Sequence, residues 1–182
     1  MSENFTITDS ANGYILDIDL NIQSIAWQNK IDHLHDMVIL YSKRVFEVMG
    51  LTNYVNHIEL SLLLTDNESI QKLNLQYRGK DSPTNSLSFP AQEIIAKKLN
   101  EFEFQGGFAI LGDIIFAYEV IESEAKEQNK DFYNHFAHLL VHGILHLLGY
   151  DHQLEKEALE MEAIEIEILS FFNIQSPYES LN

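Results

Sequence analysis

The sequence predicts an α+β fold: one domain, with a small mixed sheet and helices packed around a buried helix that carries histidines. Three observations predict it. The chain has 182 residues, a length for one domain rather than two, and 46% of them are apolar, enough for a core. Apolar residues recur with period two in some segments and period 3.6 in others, in an order that does not repeat as regular βαβ units. Residues 131–148 are apolar nearly all round, the mark of a buried helix.

Residues 1–12 read as a frayed end, and Tyr14-Ile15-Leu16-Asp17-Ile18 as a short strand. Ile31, Leu34, Val38, Val45 and Met49 recur at helical spacing, and Gly50 supplies the stop. Ile58, Leu60, Leu62 and Leu64 alternate with His57, Glu59, Ser61 and Leu63, a strand with one buried face. Thr65 and Glu68 fit a capping box, opening a helix that carries Ile70, Leu73 and Tyr77 and stops near Gly79. Leu87-Ser88-Phe89 is a short strand closed by Pro90. Ile110 to Tyr118 is another, with Gly112 marking a bulge or a close approach of backbone. An amphipathic helix follows over 119–128, then the buried helix. The last helix, 154–172, is expected to bury Leu159, Met161, Ile164, Ile168 and Phe171, and residues 174–182 read as a second frayed end.

Lys and Arg number 11 against 28 Asp and Glu, a net charge of −17. Such a surface repels polyanions and weighs against nucleic acid unless the few bases are gathered in one place. Cysteine is absent, which excludes disulfides and thiolate zinc sites. A bound transition metal therefore needs His, Asp or Glu. No apolar run reaches the roughly 18 residues that span a bilayer. The start, Met1-Ser2-Glu3-Asn4, has no basic n-region, so a cytoplasmic protein without a membrane partner is expected.

Five of the eight histidines (His135, His138, His142, His146 and His152) fall within eighteen residues. His142 and His146 are four apart, so on a helix both rings project from one face, one turn apart. Gly149 can take the left-handed conformation that ends the helix, and the returning chain brings His152 in as a third ligand. Isolated histidines on an apolar helix are usually satisfied core residues. Three unpaired rings here would each carry a burial penalty of about 1–3 kcal/mol that one ion relieves together. Three neutral His ligands leave a tetrahedral position open, the pattern of catalytic zinc, at which water attacks as hydroxide near neutral pH. His135 and His138 continue the stripe as packing or supporting residues or, as the lesser alternative, as further metal contacts. Asp151 either orients a ligand imidazole or faces water as a turn residue.

The spacing of His142-Gly143-Ile144-Leu145-His146-Leu147-Leu148-Gly149-Tyr150-Asp151-His152 also matches the metzincin peptidases at every metal position. Gly143 stands where the peptidase general base, a Glu, would be. A glycine inside a helix costs about 1 kcal/mol relative to Ala, so a substrate or strand lying close to the metal needs the missing side chain. A second segment, Asn74 to Pro90 (NLQYRGKDSPTNSLSFP), is a polar loop. In it Arg78 and Lys80 offer cations suited to phosphate oxygens. Residues 71–98 hold five bases (Lys72, Arg78, Lys80, Lys97, Lys98) against two acids, net +3.

HGILHLLGYDH, YRGKDSPTNSLSFP and LGDII together resemble the YbeY family, the bacterial rRNA maturation factors, from about Ile58 to Glu165. The resemblance implies a zinc-dependent, single-strand-specific endoribonuclease acting in rRNA processing and ribosome quality control. It implies that His142, His146 and His152 bind one zinc ion and that Arg78 is important for activity. Two departures from the family's usual pattern stand out. Asn85-Ser86 replaces an Asp-Val pair, and Ala117 stands where a small polar residue is common.

The leading expectation is therefore a single zinc-hydrolase domain over 1–182 that hydrolyses RNA phosphodiesters, with Arg78 stabilising charge on the phosphate. Its partners would be single-stranded RNA, ribosomal RNA or the ribosome. The rivals are a ribosome-assembly factor with a structural zinc, and a metzincin-like peptidase. Residues 151–182 carry eight acids and one base, net −7, so the charge is uneven. An acidic body with one positive cleft would admit a short flexible strand and reject long duplexes.

Overall fold

The computed structural model describes residues 3–10, 13–96 and 98–178. Five strands form one mixed sheet: β1 (Glu3–Asp9), β2 (Ile15–Ile22), β3 (His57–Thr65), β4 (Ser86–Pro90) and β5 (Phe108–Ala117), in the spatial order β1-β2-β3-β5-β4. The β2–β3 and β3–β5 pairs are parallel and the two outer pairs antiparallel. Parallel neighbours need crossover connections, and α1 (Ile31–Val48) supplies the one between β2 and β3.

Alternation sets the layers. Leu16, Ile18, Leu20 and Ile22 pair in register with Ile58, Leu60, Leu62 and Leu64, and all eight are buried on one face. On that face lie α1 and α4 (Phe132–Leu147), which pack against each other; α5 (Glu155–Phe171) contacts both. α2 (Asn67–Arg78) covers part of the opposite face, where Ile70, Leu87, Ile115 and Ala117 form a second, smaller core; α3 (Tyr118–Glu127) packs against α2, α4 and β5. The fold is a single α+β domain with a mixed sheet, as the patterning predicts. No described helix is long and apolar enough to cross a membrane.

Four expectations need correction. Leu159 and Phe171 of α5 are exposed rather than buried, and the helix buries Met161, Glu165, Ile168 and Leu169. Residues 3–9 are not frayed. Thr6 and Thr8 hydroxyls donate to Asp19 and Asp17 of β2 at 3.0 and 2.6 Å, and Phe5 and Ile7 pack on the core. Nor is the C-terminal stretch frayed over its described part. Ile174 N–H donates to Leu169, Lys130 donates to the Pro177 carbonyl at 3.0 Å, and Tyr178 packs at the histidine cluster; residues 1–2, 11–12 and 179–182 lie outside the described residues. The cap of α2 is Asp66 rather than Thr65, accepting from Ser69 N–H at 2.9 Å, while Thr65 ends β3 and is buried.

Gly112 marks both a bulge and a close approach. The β3–β5 register slips beside it, and a Cβ there would lie 2.2 Å from the Phe89 carbonyl, at φ +125°. That keeps β4 tight against β5 and next to α4.

Candidate metal centre and cleft

α4 starts at Asp131, whose carboxylate accepts from the N–H groups of Tyr133 and Asn134. Just past its end the chain turns at Gly149, at φ +84°, where a Cβ would lie 2.0 Å from the Ile94 carbonyl. Only glycine makes that turn at that distance. The turn carries His152 back over the last turn of the helix. His142, His146 and His152 thereby each present a nitrogen, with all three within 4.8 Å of one another.

The hydrogen bonds behind the rings fix what they present. His142 Nδ1 lies 2.8 Å from Glu165 Oε1, and His146 Nδ1 lies 2.9 Å from the Tyr150 carbonyl. A carbonyl or carboxylate only accepts, so each Nδ1 carries the proton. Burial, reinforced by the neighbouring His142, pushes the His146 pKa down to about 4, so that ring is neutral at pH 7. Its Nε2 then bears a lone pair, facing His142 Nε2 at 3.0 Å. With His142 in its neutral Nδ1–H form as well, two lone pairs would oppose each other at that distance, and a cation between them would turn repulsion into ligation. The donor set therefore fits a divalent ion of borderline softness such as zinc.

Glu165 is the residue that the sequence reading does not single out. It is fully buried on α5 and serves three donors: His142 Nδ1 through Oε1, and through Oε2 both His138 Nε2, at 3.0 Å, and the Tyr178 hydroxyl. Burial alone would raise its pKa, but hydrogen bonds and charge interactions with His138 and His142 outweigh that and hold it at about 2. Burial, the hydrogen bond and the Glu165 charge push the Tyr178 phenol up. His138 thus shares the Glu165 carboxylate with His142. His135 belongs to a neighbouring network, with Nε2 2.8 Å from Glu124. Asp151 does not orient an imidazole; its Oδ1 accepts from the His152 backbone N–H at 2.8 Å.

Gly143 lacks a side chain because the sheet comes close. A Cβ there would lie 2.9 Å from Ile114 Cδ1 and 3.3 Å from Ser88 Oγ. The strand, not a substrate, claims the space, and a glutamate at this position would have to displace it.

The three histidines open onto a cleft of about 590 Å³ that Arg78 and Lys80 also line. Neither cation has an ion-pair partner among the described residues. The rest of the basic stretch contributes less than its count suggests: Lys72 pairs with Glu68 at 2.6 Å and Lys98 with Glu101 at 2.9 Å, and Lys97 lies outside the described residues. The positive character of the cleft rests on Arg78 at the end of α2 and Lys80 just past Gly79.

Asn85 also lines this cleft. Its amide donates to both carboxylate oxygens of Glu124 at 3.1 Å, its own Oδ1 accepts from Ser86 N–H, and its carbonyl accepts from Ala117 N–H. An aspartate would set two carboxylates against each other, so the amide is the charge-compatible choice. Asn85→Asp is expected to cost about 1–2 kcal/mol in urea unfolding, and Glu124→Gln in the same chain to restore most of it. An unchanged urea midpoint for Asn85→Asp would refute this account.

The family model for Endoribonuclease YbeY matches residues 21–173 of the chain. Among solved structures, the solution structure of TM1509 from Thermotoga maritima is 22% identical. That match covers 87% of this chain and 91% of that one, with a TM-score of 0.49.

Proposed function

The chain belongs to the YbeY endoribonuclease family, and on that premise we propose that it is a zinc-dependent hydrolase of single-stranded RNA acting in rRNA maturation and ribosome quality control. The observation that carries the reading is the meeting of two sites in one cleft. Three histidine nitrogens lie within 4.8 Å of one another, and Arg78 and Lys80 line the same cleft.

Each group has a separable task. His142, His146 and His152 would hold the ion, with Glu165 and the Tyr150 carbonyl keeping two of the rings in the ligating tautomer. When bound, zinc supplies a Lewis acid that polarises a phosphoryl oxygen and acidifies an attacking water. Arg78 would meet the phosphate with a planar fork of donors, and Lys80 with a point charge, both aimed at charge that grows in the transition state. The remainder of the surface is strongly acidic, so affinity for RNA outside the cleft is weak and salt-sensitive.

Two features tell against the peptidase reading. Gly143 removes the usual general base, and the nearest buried carboxylate, Glu165, is committed to three donors.

The test is cleavage of single-stranded RNA, duplex RNA and a peptide mixture by rigorously purified protein, with and without chelator. Single-stranded RNA alone should be cut, and only without chelator. Arg78→Ala should lower kcat by about 10²–10³ while zinc content stays stoichiometric. Cleavage at the parent's rate by Arg78→Ala would remove Arg78 from the mechanism, and the same result with His146→Ala as well would overturn the nuclease reading.

A further inference from the structure

Beside the cationic cleft, and sharing Asn85, His142 and His152 with it, lies a second cavity of about 340 Å³ with a different lining. Leu139, Ala158 and Met161 supply apolar surface. Glu162 and Tyr178 also line it. Its size is at the small end of the roughly 300–1,000 Å³ typical of ligand pockets. We propose that this cavity is a nucleobase subsite, selective for guanine, that seats the base of a nucleotide next to the scissile phosphate. The proposal rests on the RNA-cleavage reading above and adds a sequence preference to it.

Three observations point to a base. The first is the division of charge across the histidines. Arg78 and Lys80 line one side, whereas Glu162 and the buried Glu165 line the other. A nucleotide bound across the histidines would put its phosphate with the cations. The acidic, apolar side is left for the uncharged part.

The second is Tyr178. Its hydroxyl is tied to Glu165 and to His138 Nε2, at 3.2 Å for the latter, yet 40% of the residue is exposed. An aromatic ring anchored through its hydroxyl and open on its surface is a stacking platform already held in place, and every base has a face to stack on it.

The third is Glu162, whose carboxylate has no hydrogen-bond or ion-pair partner among the described residues. A carboxylate accepts two N–H donors side by side. Guanine offers such a pair on one edge, at N1 and N2. Uracil offers one N–H flanked by carbonyl oxygens that a carboxylate repels.

Two measurements test this on the zinc-loaded protein. The first is NMR titration with guanosine 5′-monophosphate and uridine 5′-monophosphate, following the methyl groups of Leu139 and Met161. The guanosine nucleotide should shift them and bind at least roughly five-fold more tightly than the uridine nucleotide. Glu162→Gln should bring the two affinities within about two-fold, and Ala158→Phe, which fills the cavity, should remove the shifts. Equal binding of the two nucleotides, or a preference unchanged by Glu162→Gln, overturns the proposal.

The second is the ratio of kcat/KM for single-stranded oligonucleotides that differ only in guanosine or uridine beside the cut. Guanosine should be preferred by the parent and not by Glu162→Gln. Cleavage with no such preference overturns the subsite and leaves the nuclease standing. Nucleotide binding with the expected shifts but no cleavage supports the subsite and overturns the nuclease.

Discussion

His146→Ala is expected to lose zinc binding and to lower RNA cleavage by more than about 100-fold. The bound follows from comparison. Removing a group that only orients a metal ligand typically costs about 10–100-fold in affinity or activity, and His146 is placed to be a ligand itself. Its Nε2 faces His142 Nε2 at 3.0 Å, and its Nδ1 is held by the Tyr150 carbonyl at 2.9 Å, so the ring has little freedom to turn away. Alanine removes one of three donors, and two neutral imidazoles do not hold zinc against a chelator. The substitution also takes a donor from the Tyr150 carbonyl, so circular dichroism and urea unfolding must accompany the assay. A variant that is folded, free of zinc and inactive at any added zinc is the expected result. A variant that retains one zinc per chain and cuts RNA like the parent would place the metal elsewhere and remove the basis of the nuclease reading.

That prediction draws on the part of the molecule most legible in the sequence. An i,i+4 histidine pair on an apolar helix, a glycine turn and a third histidine involve only local geometry, and local geometry is what spacing encodes. The supporting groups were less legible because they depend on phase and on long-range contacts. Along α5 the expected inward residues include Leu159 and Phe171, but these are 61% and 62% exposed, and the buried stripe is Met161, Glu165, Ile168 and Leu169. In that phase Glu165 belongs to the core. In the other it disappears among the acids at 155, 157, 160, 162 and 167. The available signal was a stripe at 161, 165 and 168 with one carboxylate in the middle, facing a helix rich in histidine. β1 escaped for a related reason. Its alternation has only Phe5 and Ile7 as apolar members, too few to outweigh the polar residues between them, and it is settled by antiparallel pairing with β2. Tyr178 lies 32 residues beyond His146, and nothing local signals that its hydroxyl closes the Glu165 network.

Glu165→Ala should be the most damaging substitution outside the three proposed zinc ligands, and it should act on stability and metal affinity at once. The buried carboxylate is the acceptor for three donors, His138 Nε2, His142 Nδ1 and the Tyr178 hydroxyl. Alanine leaves them without it, at a site with no exposure. Hydrogen bonds to a charged group are each worth about 1.5–3 kcal/mol and do not add simply, so a loss of about 3 kcal/mol or more in urea unfolding is expected. Zinc affinity should fall about 10–100-fold, because His142 no longer has a fixed tautomer or ring orientation. Glu165→Gln separates the two effects. It keeps the volume, so packing and much of the stability return. Its amide presents one acceptor and one donor where the carboxylate presented two acceptors, so either His142 or the His138–Tyr178 pair loses its partner. Excess zinc should therefore restore cleavage to Glu165→Gln but not to His146→Ala, since the first weakens a site that the second dismantles. Equilibrium zinc titration against a competing chelator reads this directly. If Glu165→Ala binds zinc as tightly as the parent, the carboxylate is only a packing element and His142 is held in place by its helix alone.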